Sequence, residues 1–172
     1  MFRYTDNKDR IFLLGAYRVD KPQLDWILGE RTQRYEKLYN VRFNQDLFSQ
    51  RNGGMISEVL PDYILIYNTQ NPQKGYHLFP CIHLSIKEQE DMERLQYPNP
   101  NGVYIVYSLG EEILAEPLDI DRLLRQVFPD SNNYIPFVPK FLKGEEIANV
   151  VDTSLKQPEL AIKEEHKVLR FI

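Results

Sequence analysis

A chain of 172 residues with 42% hydrophobic content is long enough for one domain with a real core. A formal net charge of −4 argues against broad, non-specific attraction to nucleic acid, which draws on clustered Lys and Arg. The lone Cys81 excludes an internal disulfide and a cysteine-rich zinc site; with a polar start, Met1–Arg10, and no apolar run long enough for a bilayer, the expectation is a soluble, cytoplasmic protein.

Ile11–Val19 is nearly continuous in apolar character, which predicts a strand covered on both faces. Asp20 and Pro22 then mark a helix start, with Leu24, Ile27, Leu28, Tyr35 and Leu38 at helical spacing and Gly29 as a point of weakness. Trp26 lies off that stripe and is expected to pack at its margin. Arg31, Arg34, Lys37 and Arg42 are interrupted by Glu30 and Glu36, the pattern of a solvated face. Tyr39–Phe43 alternates as a half-buried strand does, and the Gly53-Gly54 pair belongs to a polar loop.

The chain centre, Pro61 to Leu109, is rich in aromatic and β-branched residues. Tyr63–Tyr67 and Tyr76–Phe79, joined by Asn71-Pro-Gln-Lys-Gly75, predict an antiparallel hairpin. Pro80 predicts an edge strand or a bulge where the second run continues to Ile86. Met92 and Leu95 suit a short docked helix, Val103–Tyr107 is a third strand ended by Gly110, and Glu112–Pro117 suits a short edge segment. Asp119 caps a helix with Ile120, Leu123, Leu124 and Val127 on one face and Pro129 after its end. Beyond it, Pro129, Pro136, Pro139 and Pro158 punctuate the chain, and a last short helix is expected over Gly144–Val151. The expected architecture is α+β: a mostly antiparallel sheet or partly open β-barrel with two to three packed helices in a core domain of residues 1–128. Residues 129–172 form a proline-punctuated C-terminal arm, packed on that core or docking a partner.

No catalytic constellation stands out. His77 and His83 share strand parity, so a two-histidine metal site is conceivable unless Pro80 breaks the relation; polar positions on a solvated sheet face are the plainer reading. Cys81 behind Pro80 reads as a small core residue. His83-Leu-Ser85 supplies half of a two-histidine phosphoesterase pattern; Asp62 opening a strand before Ser85-Ile-Lys87, and Asp152 before Glu165-His-Lys167, each supply fragments of a Mg²⁺-dependent nuclease site. No glycine fingerprint or phosphate loop is present, so no cofactor is expected.

Asp62–Tyr67, a polar turn, Gly75–His83 and Tyr97-Pro-Asn-Pro100 resemble the pattern of small-barrel EVE and PUA-like domains, with Pro61 where that pattern has glycine. The resemblance implies a reader of modified bases or RNA, and it would place nucleic acid against Tyr63, Tyr67, Tyr76 and Arg42. The residues themselves favour a non-catalytic binding or assembly protein. Its partner, another protein or a second copy, would meet an aromatic sheet face and the apolar arm residues Tyr134, Ile135, Phe137, Val138, Phe141 and Leu142. A nucleic-acid reader and a nuclease are the alternatives.

Overall fold

A computed structural model describes residues 1–18, 23–30, 36–43, 60–130 and 139–155. In chain order these form β1 (Ile11–Tyr17), α1 (Gln23–Leu28), β2 (Lys37–Arg42), β3 (Tyr63–Asn68), β4 (Tyr76–Lys87), α2 (Gln89–Arg94), β5 (Tyr104–Leu109), α3 (Ile120–Val127), β6 (Lys140–Lys143) and α4 (Gly144–Ala148). The strands make one six-stranded sheet in the order β2-β5-β4-β3-β1-β6. β1 runs parallel to β3 and every other ladder is antiparallel, so the architecture is α+β with a mixed sheet.

β1, β3 and the first half of β4 are covered on both faces, which is why their sequences read as unbroken apolar runs. Phe12, Leu14, Leu65, Tyr67, Tyr76 and Leu78 face one cluster, completed by Leu123 of α3 and Ile147 of α4. Leu13, Ile64, Ile66 and Phe79 face the other, with β2, β5, Trp26 and Met92. Trp26 is core, its indole Nε1 donating to the Leu95 carbonyl at 3.0 Å. Its ring meets Tyr97 edge-on, and Tyr97 meets Tyr104 in the same way.

α1 is shorter than its spacing predicts. It stops at Gly29, whose φ of 74° is a left-handed exit that glycine adopts without strain. Leu38 therefore belongs to β2, not to the helix stripe. The expected cap of α3 is present, with the Arg122 amide donating to the Asp119 side chain at 3.0 Å. Glu112–Pro117 does not make a strand; it carries one isolated bridge, from Ala115 to Phe2.

Residues 139–155 join the same core. β6 pairs antiparallel with β1, setting Leu142 against Phe12 and Phe141 against Leu13. α4 follows at once, and the Gly144 and Glu145 amides donate to the Arg10 and Lys8 carbonyls at 2.8 and 3.0 Å. A β-carbon on Gly144 would lie 2.8 Å from the Asn7 carbonyl carbon, so only glycine lets α4 approach this closely. Proline lacks an amide donor and is therefore an objection to a sheet interior. β6 begins after Pro139 and lies at the sheet edge, where that objection vanishes. No helix among the described residues is long and apolar enough to cross a membrane.

Candidate functional site

β4 is twice the length of its neighbour β3, and its outer half outruns it. The β3–β4 ladder ends where the Cys81 amide donates to the Asp62 carbonyl at 2.9 Å. Pro61 comes next and has no amide hydrogen to continue the ladder. At the same point β4 bulges between Cys81 and His83. From His83 to Lys87 the strand pairs with β5 on one side, and no described strand lies on the side that β3 has left. Ile82 is 64% exposed and Ile86 51%, whereas Tyr76–Phe79 in the first part of β4 are buried. Leu84, between them, is half-buried against the core cluster. Among the described residues this overhang therefore offers an unshared strand edge together with two exposed apolar side chains.

A second feature lies at the other end of β4. His77 is buried, and its Nδ1 lies 2.5 Å from Oε1 of Glu112, whose side chain is itself buried. Nε2 lies 3.3 Å from the Tyr17 hydroxyl, which also donates to the Gly75 carbonyl at 3.1 Å. Carboxylate, imidazole and hydroxyl in a row is the order used to activate a nucleophile. Here the phenol is held in its neutral form: burial, then the nearby Glu112 charge, pushes Tyr17 up to about 12. The trio acts as a polar clamp, tying the end of β1 and the segment after β5 to the start of β4.

The sequence candidates separate on this scaffold. His77 points into the core and His83 is exposed beyond the bulge, so the parity that would bring them together is broken at the bulge. Burial pushes the Cys81 thiol up to about 12, the opposite of an activated nucleophile. Asp62 is engaged in the fold: its Oδ2 accepts from the Ile11 amide at 2.9 Å, and Arg10 lies 3.9 Å from Oδ1. Among the described residues no group of three His, Cys, Asp or Glu side chains is placed to hold a metal ion.

Tyr67 and Tyr76 are core residues, and the Tyr76 hydroxyl accepts from the Leu118 amide at 3.0 Å. Tyr63 packs edge-on against Phe2. None of the three is free to stack on a base, because both faces of the strands that carry them are covered. Arg42 is exposed at the end of β2, where it donates to the Asn101 carbonyl at 2.9 Å. Leu142 is buried and Phe141 packs on the core, so neither is a docking group. Tyr134, Ile135, Phe137, Val138 and the Glu165-His-Lys167 tripeptide lie outside the described residues. Sequence reasoning misses Glu112 as the partner of His77, since a contact across 35 positions leaves no local pattern. The overhang has a faint signal in Pro61 and Pro80, which bracket the ladder's end.

No protein-family model matches the chain, and no curated protein matches it. Among solved structures, two variants of ZmASCH from Zymomonas mobilis are similar to it. A serine-to-alanine variant shares 13% identity over 81% of this chain and 93% of that one, with a TM-score of 0.47. A tyrosine-to-phenylalanine variant shares 10% over 78% and 92%, with a TM-score of 0.44. Likeness at this level carries no functional argument.

Proposed function

We propose that the protein is a non-catalytic binding module that takes an extended protein segment along the outer half of β4. The observation that carries this reading is the overhang itself, whose edge is unshared among the described residues, with the exposed Ile82 and Ile86. An unpaired strand edge is a template for another strand: main-chain hydrogen bonds give affinity, and alternate side chains give selectivity. The chemically suggestive groups favour binding over catalysis, since Tyr17 and Cys81 are both driven toward their neutral forms. Selection of displayed random peptides on the full chain tests the reading. Peptides that bind the wild type and lose binding to Ile82→Lys/Ile86→Lys support it; peptides that bind both equally refute it.

A second reading, a reader of single-stranded nucleic acid, has one observation in its favour. Arg42 is an exposed cation at the end of β2, of the kind that contacts phosphate, and the partly exposed Phe43 follows it in sequence.

A further inference from the structure

We infer that Asn101-Gly102, in the loop before β5, is a modification site: the Asn101 side-chain amide converts spontaneously to aspartate and isoaspartate, and Arg42 promotes the reaction. The site depends on neither binding reading.

The reaction needs a backbone nitrogen that can reach the side-chain carbonyl carbon of the asparagine before it. The Gly102 nitrogen gives its proton to solvent and bonds to Cγ of Asn101. The Cγ–Nδ2 bond breaks, and the amide nitrogen leaves as ammonia after taking a proton from water. Water then opens the succinimide ring at one carbonyl or the other, which gives aspartate or isoaspartate. Asparagine is thermolabile by this route. Glycine is the most permissive following residue, because no β-carbon blocks the approach.

The loop meets each requirement. Asn101 is exposed, and its backbone is fixed on both sides. Its amide donates to the Tyr104 hydroxyl at 2.9 Å, and its carbonyl accepts from Arg42 Nη2 at 2.9 Å. Among the described residues its side-chain amide has no hydrogen-bond partner, so the side chain is at liberty to turn toward Gly102. Gly102 has a φ of 93°, and a β-carbon on it would meet nothing beyond its chain neighbours closer than Arg42 Nη2 at 3.9 Å. The Gly102 amide hydrogen is loosely held, since Gln89 Oε1 accepts it at 3.5 Å, the long limit of a hydrogen bond.

Arg42 acts on this same peptide unit. A cation bonded to the Asn101 carbonyl draws electron density from the Gly102 nitrogen and favours its deprotonated form. The β2–β5 ladder brings the two together by setting Arg42 opposite Tyr104. The product carboxylate lies on the residue that Arg42 holds, so conversion adds a negative charge beside this cation.

Incubation of the full chain at mildly alkaline pH, followed by peptide mapping with mass spectrometry, tests the inference. Mapping separates Asn101 from Asn52, which precedes the other Asn-Gly pair of the sequence. In the native wild type Asn101 is expected to convert to both products, severalfold faster than in Arg42→Ala. Circular dichroism confirms that this variant is folded. In urea, where the contact is lost, the two chains should convert Asn101 at the same rate. Asn101 that stays intact in the native wild type overturns the inference. Conversion in folded Arg42→Ala that equals or exceeds the wild-type rate overturns it too, because the contact would then be idle or protective.

Discussion

Tyr39 stands over Gly15 across the interior of the sheet, although β2 and β1 share no ladder. Its hydroxyl donates to the Ala16 carbonyl at 3.0 Å, and a β-carbon on Gly15 would lie 2.7 Å from its Cζ. The sheet has curled far enough for an outer strand to touch an inner one, yet it does not close. One phenol spans the gap in place of a row of main-chain bonds.

Gly15→Ala should therefore destabilise the fold by about 1–3 kcal/mol, the usual cost of overpacking a core. Urea unfolding would show it as a lower midpoint with an unchanged slope. Tyr39→Leu in the Gly15→Ala background should recover part of the loss. Non-additivity of that pair is the decisive reading; two independent losses would mean the residues do not meet.

The described part of the C-terminal arm is structural. Leu142 is buried on β6 opposite Phe12, and Ile147 of α4 is fully buried. Leu142→Ala should cost about 2–5 kcal/mol. Deleting residues 129–172 would strip β6 from β1 and expose the part of one sheet face that α4 covers. The truncated chain should lose cooperative thermal unfolding; a truncation that still melts cooperatively would show that β6 and α4 are dispensable.

Much of this architecture is legible in the sequence because it is local. The hairpin at Asn71–Gly75, the cap at Asp119 and the short helix around Met92 announce themselves through turn and capping chemistry within a few residues. What is not legible depends on distant partners. Tyr67 and Tyr76 read as half-exposed aromatics until α3 and α4 are seen to cover their face. His77 and His83 seem to share a face until the bulge at Cys81 shifts the parity. Glu112 has no local mark that assigns it to His77. The overhang follows from comparing two strand lengths, which no single segment carries.

Tyrosine burial sets the alkaline limit of the protein. Burial pushes the phenols of Tyr4, Tyr17, Tyr39, Tyr67, Tyr76 and Tyr107 above their ordinary value of 10.0, Tyr17 to about 12. In the unfolded chain these groups ionise near the ordinary value, so above it the unfolded state holds fewer protons than the folded one. Stability is then full below about pH 10 and falls as pH rises through the raised folded values. Phenolate absorbance should lag during an alkaline titration and then rise steeply with the loss of circular dichroism. Smooth ionisation of all tyrosines in a still-folded protein would contradict the assignment.

Cys81 offers an independent check on the end of the β3–β4 ladder. Its thiol is raised mainly by burial, and the Asp62 charge adds to the effect. Thiolate is the reactive form, so an aromatic disulfide reagent near neutral pH should label the native protein slowly and the urea-unfolded chain rapidly. Asp62→Asn removes a charge that opposes ionisation, but it also weakens the acceptor of the Ile11 amide. The native labelling rate should rise in that variant through both effects. An unchanged rate would mean that the carboxylate does not act on the thiol.

The nucleic-acid reading turns on Arg42. Its guanidinium is exposed at the end of β2, and Phe43, 38% exposed, follows it. If this corner holds a single strand, short oligonucleotides should bind at low salt and weaken steeply as salt rises, because phosphate contacts release counterions. Arg42→Ala should reduce both the affinity and the salt dependence, and Phe43→Ala should reduce affinity while leaving the salt dependence nearly unchanged. Arg42 also donates to the Asn101 carbonyl, so Arg42→Lys serves as the control: it keeps the charge and loses the planar fork. Binding retained in Arg42→Ala would move the nucleic acid away from this corner, and no binding by the wild type at low salt would remove the nucleic-acid reading.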